Sequence, residues 1–533
     1  MSIFIQTQRS EFFKELTKEK QEMFFNLKQN NVYPAIDNLY FSVFLVDDAK
    51  NTDTYNATLA RLQPLFEAIA VAKEEANITN EPAPFTHGLT LELKSFKRYN
   101  LCLSQADLYD IFFIQSLPNE DTPRIVVQLR AMGLHTRGVD NIVIEAFHKV
   151  EQLLATYGLK IEKCRENRID YAYHTNVISS PTKIFREVGG EIRNCHTSMK
   201  DFYMHGDVER TKTGITVHKD YVCIGSKNSN SVRARVYDKV KEVIEMGYKA
   251  FFFELWYEKG LISYYDKWCM EYAFLHKNVD YLAKARLEFY TQHGTDAARR
   301  NEYEKVLNNP HYSLRDYKRL ADDFMPSTTA VINIEYETKR KFYYYSDNFI
   351  DALKIDWTRE NVVPEQLKRI YRILDNRRIF HNHLVSEKLA FYKGEFAGDK
   401  TEWLPWWKRI VNVKLDGIET DEKLLREYTQ TMDKKAVQKG AINRIASAAV
   451  YDDKVDTGFV EDLSDLLADV SDNEKHKSGL RFVDTAGNSV GNVSGELVRR
   501  YDVLKSKKET QLKNRKKRRA MNDTATSPRL VHT

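Results

Sequence analysis

One short run of the sequence places a tyrosine among three cations at the spacing of a β-strand. Residues 221–224 and 232–237 are rich in β-branched and aromatic residues, and turn-forming residues fill 225–231, so the pattern predicts a β-hairpin. Every second side chain of a strand shares a face. The polar face predicted here carries Arg233, Arg235, Tyr237 and Lys239.

These residue types match the needs of phosphodiester cleavage through a covalent intermediate. Such a reaction uses a nucleophile, cations that hold the phosphate and usually a metal ion. Tyr237 would supply the nucleophile, and Arg235 and Lys239 the cations. On composition alone, a sheet tyrosine among solvated cations is the commoner explanation of such a pattern.

Two acids are candidate ligands for Mg²⁺ or Mn²⁺, which prefer oxygen donors. Asp170 and Glu335 each lie on the polar face of a predicted strand whose other face is apolar, so one sheet could bring them together. Glu254, in the aromatic run 251–256, is the competing ligand. For any single acid, a surface salt bridge is the commoner role.

A second kind of metal site is suggested by His381 and His383, whose His-x-His spacing occurs in another class of DNA-nicking enzymes. The segment has a helical pattern, and incidental surface histidines are commoner. The chain has no phosphate-binding G-x-x-x-x-G-K-[ST] or G-x-G-x-x-G motif and no serine nucleophile elbow, which argues against a helicase or ATPase.

Composition indicates a reduced, cytoplasmic protein that is not membrane-bound. The 533 residues suffice for two or three domains, and the formal charge of +5 is compatible with nucleic acid without demanding it. Five scattered cysteines form no C-x-x-C pair, and we find neither a signal peptide nor a membrane-spanning apolar run. The basic run 505–519 would bind phosphates or be a solvated terminus.

Hydrophobic periodicity predicts an α+β fold, with a mixed or mainly antiparallel sheet flanked by helices, a helical insertion and a weakly ordered C-terminal tail. We divide the chain into N-terminal helical segments with a first strand, two parts of a catalytic core separated by the helical, aromatic-rich insertion, and a charged C-terminal region. These segments are residues 1–85, 86–242, 243–330, 331–415 and 416–533.

The order of several motifs resembles the Rep_trans family, which comprises replication initiators of rolling-circle plasmids and related relaxases of mobile elements and phages of Gram-positive bacteria. The resemblance covers about residues 36–415, and its most specific part is the hairpin with its tyrosine strand. The segments that carry it are 125–134 (IVVQLRAMGL), 167–170 (NRID), 224–229 (IGSKNS), 234–239 (ARVYDK), 334–340 (IEYETKR) and 406–408 (WWK).

The resemblance implies site-specific nicking and joining of one DNA strand. Tyr237 would form a 5′-phosphotyrosine and release a 3′-OH for rolling-circle synthesis, while Asp170 and Glu335 would hold Mg²⁺ or Mn²⁺. The implied partners are single-stranded or supercoiled origin DNA, a host helicase and polymerase, and a second copy of the chain in a homodimer.

Two departures from the family pattern leave alternatives open. A long stretch separates Tyr237 from Glu335, which keeps Glu254 as an alternative ligand, and Asn333 stands where an arginine is usual. We recognise no N-terminal helix-turn-helix, so the means of origin recognition is open. The rival functions are a non-catalytic DNA-binding regulator that retains the fold and a histidine-metal nickase.

Overall fold

The structure is a computed structural model of the chain. It describes residues 3–46, 52–115, 123–178, 195–196, 202–211, 214–225, 232–344, 359, 361–392 and 402–415. The predicted hairpin turn at 226–231 lies outside the described residues, as do the basic run 505–519 and all of the predicted C-terminal region 416–533.

The described residues contain one large antiparallel sheet and a two-stranded pair. The strands are β1 (Val32–Leu45), β2 (Ala83–Pro84), β3 (Thr90–Glu92), β4 (Leu101–Gln105), β5 (Tyr109–Phe113), β6 (Ile125–Leu129), β7 (Ile161–Thr175), β8 (Cys195–His196), β9 (Phe202–Thr211), β10 (Gly214–Ile224), β11 (Val232–Asp238), β12 (Ile332–Lys339) and β13 (Ala390–Phe391). In the large sheet eleven of these strands follow the order β2-β3-β4-β5-β6-β1-β7-β12-β11-β10-β9, and β13 pairs with β8.

Helices flank this sheet along the described chain. They are α1 (Ile3–Arg9), α2 (Glu11–Glu15), α3 (Lys18–Phe25), α4 (Thr52–Thr79), α5 (Ala131–Thr136), α6 (Val139–Ala155), α7 (Lys239–Met246), α8 (Phe251–Glu258), α9 (Tyr264–Leu275), α10 (Tyr281–His293), α11 (Ala297–Leu307), α12 (Leu314–Phe324), α13 (Arg340–Tyr344), α14 (Lys368–Asp375), α15 (Arg377–His383) and α16 (Pro405–Val411). The predicted α+β class is confirmed.

Period-two alternation gives the central strands two different faces. On β7, Ile169, Tyr171 and Tyr173 belong to the main apolar core, which also includes side chains of α4, α6 and α14. Asp170 and His174 are buried on the opposite face of the same strand. Because adjacent residues of a strand point to opposite faces, the polar residues of the central strands gather on the face away from this core.

The helices from Lys239 to Phe324 form the predicted helical insertion between β11 and β12. Several of them share an aromatic core with the N-terminal helices: Phe12 packs edge-on against Phe289 and Tyr290, at ring-centroid distances of 6.2 and 5.3 Å. The N-terminal helices and the insertion therefore support each other, while β1 enters the centre of the sheet between β6 and β7. The division into five segments stays a prediction.

None of the helices in the described ranges combines the length and the apolar character needed to cross a membrane.

Candidate functional site

Three neighbouring strands bring the predicted site residues together in rows across the sheet. Register pairs Tyr237 of β11 with Asn333 of β12, and Asn333 in turn with His174 of β7. In the next row Arg235 stands opposite Glu335, and Glu335 opposite Ala172.

Lys239 reaches the site from a helix, so the expectation that it continues the strand is wrong. The carboxylate of Asp238 accepts a hydrogen bond from the backbone N–H of Lys241 at 3.0 Å and caps α7. An aspartate at this position satisfies an N–H that the first helical turn would leave without a partner. Lys239 therefore begins α7, and its side chain still approaches the hydroxyl of Tyr237.

The hydroxyl of the half-buried Tyr237 makes three hydrogen bonds. It donates to Oε2 of Glu335 at 2.9 Å, and it accepts from Nδ2 of Asn333 at 2.9 Å and from Nζ of Lys239 at 3.1 Å. The phenolic proton thus points at the carboxylate of Glu335, while the ammonium of Lys239 and the amide of Asn333 donate to the phenolic oxygen. This geometry suits removal of the proton as the oxygen becomes a nucleophile.

The charges around the site hold its groups in definite protonation states. Burial and the nearby Glu335 raise the pKa of Tyr237 well above its ordinary value, so the resting hydroxyl is neutral. Burial acts to raise the pKa of Glu335 as well, but Arg235 and Lys239 outweigh it and hold that pKa below its usual range. Glu335 is therefore an ionised acceptor beside a protonated phenol.

Lys239 remains a cation although its side chain is only 2% exposed. Burial acts to lower the pKa of Lys239, but the anionic groups beside it outweigh this effect and raise the pKa well above its usual value. The ammonium also lies 5.3 Å from the ring centroid of Tyr237 and 5.2 Å from that of Phe252, within cation–π range.

The two predicted metal ligands are bound by arginines. Nε of Arg168 donates to Oδ1 of Asp170 at 2.7 Å, and Nη2 of Arg235 is paired with Glu335 and lies 3.9 Å from Asp170. Burial raises the pKa of Asp170 to about 7 in spite of Arg168. Within the described ranges no group of three or more His, Cys, Asp and Glu side chains could hold a metal ion.

This donor set does not fit a divalent cation as it stands. Arg168 and Arg235 would have to leave the two carboxylates before an ion could take their place, and Mg²⁺ demands several oxygen ligands in near-ideal geometry. The predicted role of Asp170 and Glu335 as metal ligands stays a prediction.

Asp37 is a site residue that the sequence pattern did not reveal. The pairing of β1 with β7 shifts between Ile36 and Asn38, so Asp37 is the extra residue of a β-bulge. A bulge redirects the side chain of its extra residue. Here Asp37 is buried beside the site, where its Oδ2 accepts from Lys239 at 3.3 Å.

Asp37 is itself surrounded by hydrogen-bond donors. Nε2 of His135 lies 2.9 Å from its Oδ1, and Nε2 of His174 lies 3.4 Å from its Oδ2. Burial raises the pKa of Asp37, but Lys239 and the two histidines outweigh it and hold that pKa well below its ordinary value. No pattern in the sequence links these residues, because they come from four separate elements.

Neither alternative metal ligand lies in the site. Glu254 is exposed on α8 and forms an ion pair with Lys267. His381 is buried on the other face of the sheet, where Nδ1 accepts from the hydroxyl of Tyr173 at 2.6 Å and Nε2 faces the carbonyl of Val411 at 3.2 Å. Both ring nitrogens of His381 are thus used, which disfavours the His-x-His site.

Aromatic and basic side chains continue the polar face away from Tyr237. The guanidinium of Arg168 lies 5.4 Å from the ring centroid of Tyr40, Phe96 stacks on Tyr40 at 5.4 Å, and Lys97 lies 5.1 Å from the ring centroid of Phe96. Burial and the neighbouring cations Lys339 and Arg168 lower the pKa of Lys97. Three cations therefore lie near one another at this end of the face, with Glu337 between them.

Comparison with known proteins leaves the identity of the chain open. No family model and no curated protein matches the sequence. Among solved structures the chain is similar to a rolling circle replication initiator protein from Geobacillus stearothermophilus, with 8% identity and a TM-score of 0.31 over 72% of this chain and 96% of that one. A likeness at this TM-score is too weak to support an inference, so the resemblance to Rep_trans stays a prediction.

Proposed function

We propose that this protein nicks and rejoins one strand of DNA through a covalent bond to Tyr237, as a replication initiator or relaxase of the Rep_trans kind. The observation that carries the proposal is the hydroxyl of Tyr237, which donates to Glu335 and accepts from Lys239. A nucleophile, a base and a cation are parts that the attack of a tyrosine on a phosphodiester uses.

In the proposed reaction the phenolic oxygen of Tyr237 attacks the scissile phosphorus. Its proton passes to Oε2 of Glu335, which already accepts it at 2.9 Å. The bond from the phenolic oxygen to phosphorus forms, and the bond from phosphorus to the 3′-oxygen breaks. The 3′-oxygen takes a proton from solvent, which leaves a 3′-OH and a 5′-phosphotyrosine.

Arginines on the same face suit the phosphate group of the substrate. The side chains of Arg235 and Arg233 are partly exposed, although Nε of each is buried and has no hydrogen-bond partner among the described residues. A guanidinium offers several N–H donors in a planar fork, so one edge can hold a carboxylate while another meets a phosphate oxygen. Near the buried Tyr40, Phe96 is partly exposed and Lys97 is exposed, so they offer an aromatic ring and a charge to single-stranded DNA.

A nicking assay tests the proposal. The substrate is a supercoiled plasmid that carries the DNA flanking this chain's own gene, and the reaction is run with EDTA and with added Mn²⁺. We expect a nick at one position and a protein–DNA adduct that survives denaturation. Tyr237→Phe removes only the hydroxyl and should abolish both.

Tyr221→Phe is the matched control, because Tyr221 lies on the neighbouring strand with its ring centroid 6.2 Å from that of Tyr237. It should still form the adduct. Nicking by Tyr237→Phe would overturn the assignment, and salt-dependent binding without any adduct would identify a non-catalytic DNA-binding protein. The EDTA and Mn²⁺ arms test the predicted metal ion.

A further inference from the structure

Three oxygen atoms of the protein surround the ammonium of Lys239. Nζ lies 3.1 Å from the hydroxyl oxygen of Tyr237, 3.3 Å from Oδ2 of Asp37 and 2.8 Å from Oε2 of Glu242. An ammonium has three N–H donors and no acceptor. Two of these contacts are hydrogen bonds and the contact with Glu242 is an ion pair. Because the side chain is also only 2% exposed, the ammonium is held within the protein and away from a phosphate.

The two carboxylates beside Lys239 are held by partners of their own. Nε1 of Trp256 donates to Nδ1 of His174 at 3.1 Å. An indole N–H can only donate, so the hydrogen of His174 is on Nε2 and faces Asp37. Glu242 pairs with Lys249 at 3.3 Å. The ammonium consequently has a defined place at the phenolic oxygen.

A cation at this place matters most when negative charge forms on the tyrosine oxygen. Charge develops there as the proton leaves during nicking, and again as the phosphotyrosine bond breaks during rejoining. A phenolate in a buried site is costly because it loses its hydration, and a fixed cation offsets that cost.

We infer that Lys239 serves the phenolic oxygen of Tyr237 and not the phosphate or the 3′-oxygen of the DNA, with Asp37 and Glu242 as the positioning residues that hold it there. The inference rests on the proposed function. In rejoining, the 3′-OH attacks phosphorus and gives its proton to solvent, the bond from phosphorus to the phenolic oxygen breaks, and Glu335 returns a proton to that oxygen. Lys239 keeps its protons and stabilises the charge.

A leaving-group substitution separates the two sides of the reaction. Once the nick has been mapped on the plasmid, single-stranded oligonucleotides of that sequence are made with either oxygen or sulfur as the 3′-bridging atom of the scissile phosphate. A thiolate leaves without protonation or charge stabilisation. If a residue acts on the leaving 3′-atom, its substitution should slow nicking less with the sulfur oligonucleotide than with the oxygen one. If it acts on the tyrosine, its substitution should slow nicking equally with both.

We expect Lys239→Met to slow single-turnover nicking by about 100-fold or more with both oligonucleotides, and Lys239→Arg to restore part of the rate. Asp37→Asn should slow nicking without changing the oligonucleotide concentration that gives the half-maximal rate, because Asp37 is buried behind Lys239. Lys267→Met is the control, since Lys267 pairs with Glu254, which lies outside the site. It should keep most of the activity.

Each result decides for or against the inference. Recovery of Lys239→Met with the sulfur oligonucleotide would place Lys239 at the leaving group, and a wild-type rate for Asp37→Asn would remove its positioning role. Thermal melting shows whether each variant is folded. If Lys239→Met unfolds, Lys239→Arg, which keeps the positive charge, is used for the comparison of the two oligonucleotides. If the wild-type protein forms no adduct, the proposed function fails, and the inference fails with it.

Discussion

At the scale of single residues, the site is a protonated phenol beside an ionised carboxylate. A tyrosine with a raised pKa is a poor nucleophile until a base takes its proton, and Glu335 is the carboxylate that accepts its hydrogen bond. Arg235 keeps Glu335 ionised despite burial. The geometry thus favours Glu335 as a base, whereas the family resemblance implies a metal ligand.

Replacing Glu335 tests this role. Glu335→Gln keeps the size of the side chain but removes the charge, and we expect it to slow single-turnover nicking by roughly 100- to 1,000-fold, which is the range of a lost general base. Adduct formation followed on denaturing gels measures the rate.

The neighbouring Glu337 provides a matched control. It lies two residues along β12, faces the same side and pairs with Arg233 at 2.7 Å, but it has no hydrogen bond to Tyr237. Glu337→Gln should lose comparable stability and keep most of the activity. Equal loss of activity in both variants would show that the row of ion pairs, and not the base, is what nicking requires.

At the scale of secondary structure, a helix start and a strand irregularity place two charged groups of the site. The cap at Asp238 starts α7 at Lys239, so that the lysine turns back to Tyr237, and the bulge at Asp37 brings a carboxylate to the same ammonium. Both the helix cap and the β-bulge depend on backbone hydrogen bonding, and neither changes the face on which Tyr237 lies.

Removing the cap should affect stability and activity together. Asp238→Ala should lower the free energy of unfolding by about 1 kcal/mol, as expected for a lost N-cap, and should also reduce nicking, because Lys239 follows directly. Asp296 caps α11 through the N–H groups of Ala298 and Arg299. Asp296→Ala should cost similar stability in urea titrations but leave nicking unchanged; parallel activity losses would contradict this account.

At the scale of the whole molecule, the sheet separates a polar face that carries Tyr237 from an apolar face that packs in the main core. Tyr173 and His174 are adjacent on β7, yet His174 faces Asp37 while Tyr173 packs in the main core and donates to His381. His381 therefore packs with the main core and takes no part in the site around Tyr237. Burial lowers the pKa of His381 to about 4, so it is neutral in the folded protein.

This neutral histidine predicts a pH dependence of stability. The folded-state pKa lies below the unfolded value of about 6.5, so the unfolded chain binds the proton first, and stability is lost as the pH falls from about 6.5 towards 4. The loss attributable to His381 should be roughly 2 to 3 kcal/mol. The free energy of unfolding is measured for the wild type and for His381→Gln, each at pH 7 and at pH 4.5. The loss due to His381 is the wild-type decrease between the two pH values minus the decrease of the variant.

Glutamine is a suitable replacement because it can accept from Tyr173 and donate to Val411 without titrating. Stability of the variant should change less over this interval. An identical pH dependence in the two proteins would show that other groups, such as the buried carboxylates, account for the whole effect.

Local patterns in the sequence were sufficient for the strands that carry the site and for the face on which Tyr237 lies. Alternation along β11 puts Arg233, Arg235 and Tyr237 on one side because strand geometry repeats every two residues, whatever the rest of the fold does. The same reasoning predicted the polar faces of β7 and β12 and the helical insertion. It failed at Lys239, where the cap of Asp238 ends the strand.

Only the tertiary structure decided which polar groups meet. Asp37 is 202 residues from Lys239 in the chain, and its direction depends on a bulge that leaves no mark in the hydrophobic pattern. Glu335 meets Tyr237 and Glu254 does not, and this likewise depends on strand order, which places β12 between β7 and β11. Sequence periodicity is local, whereas the charge and hydrogen bonding of a buried site are set by contacts between distant segments.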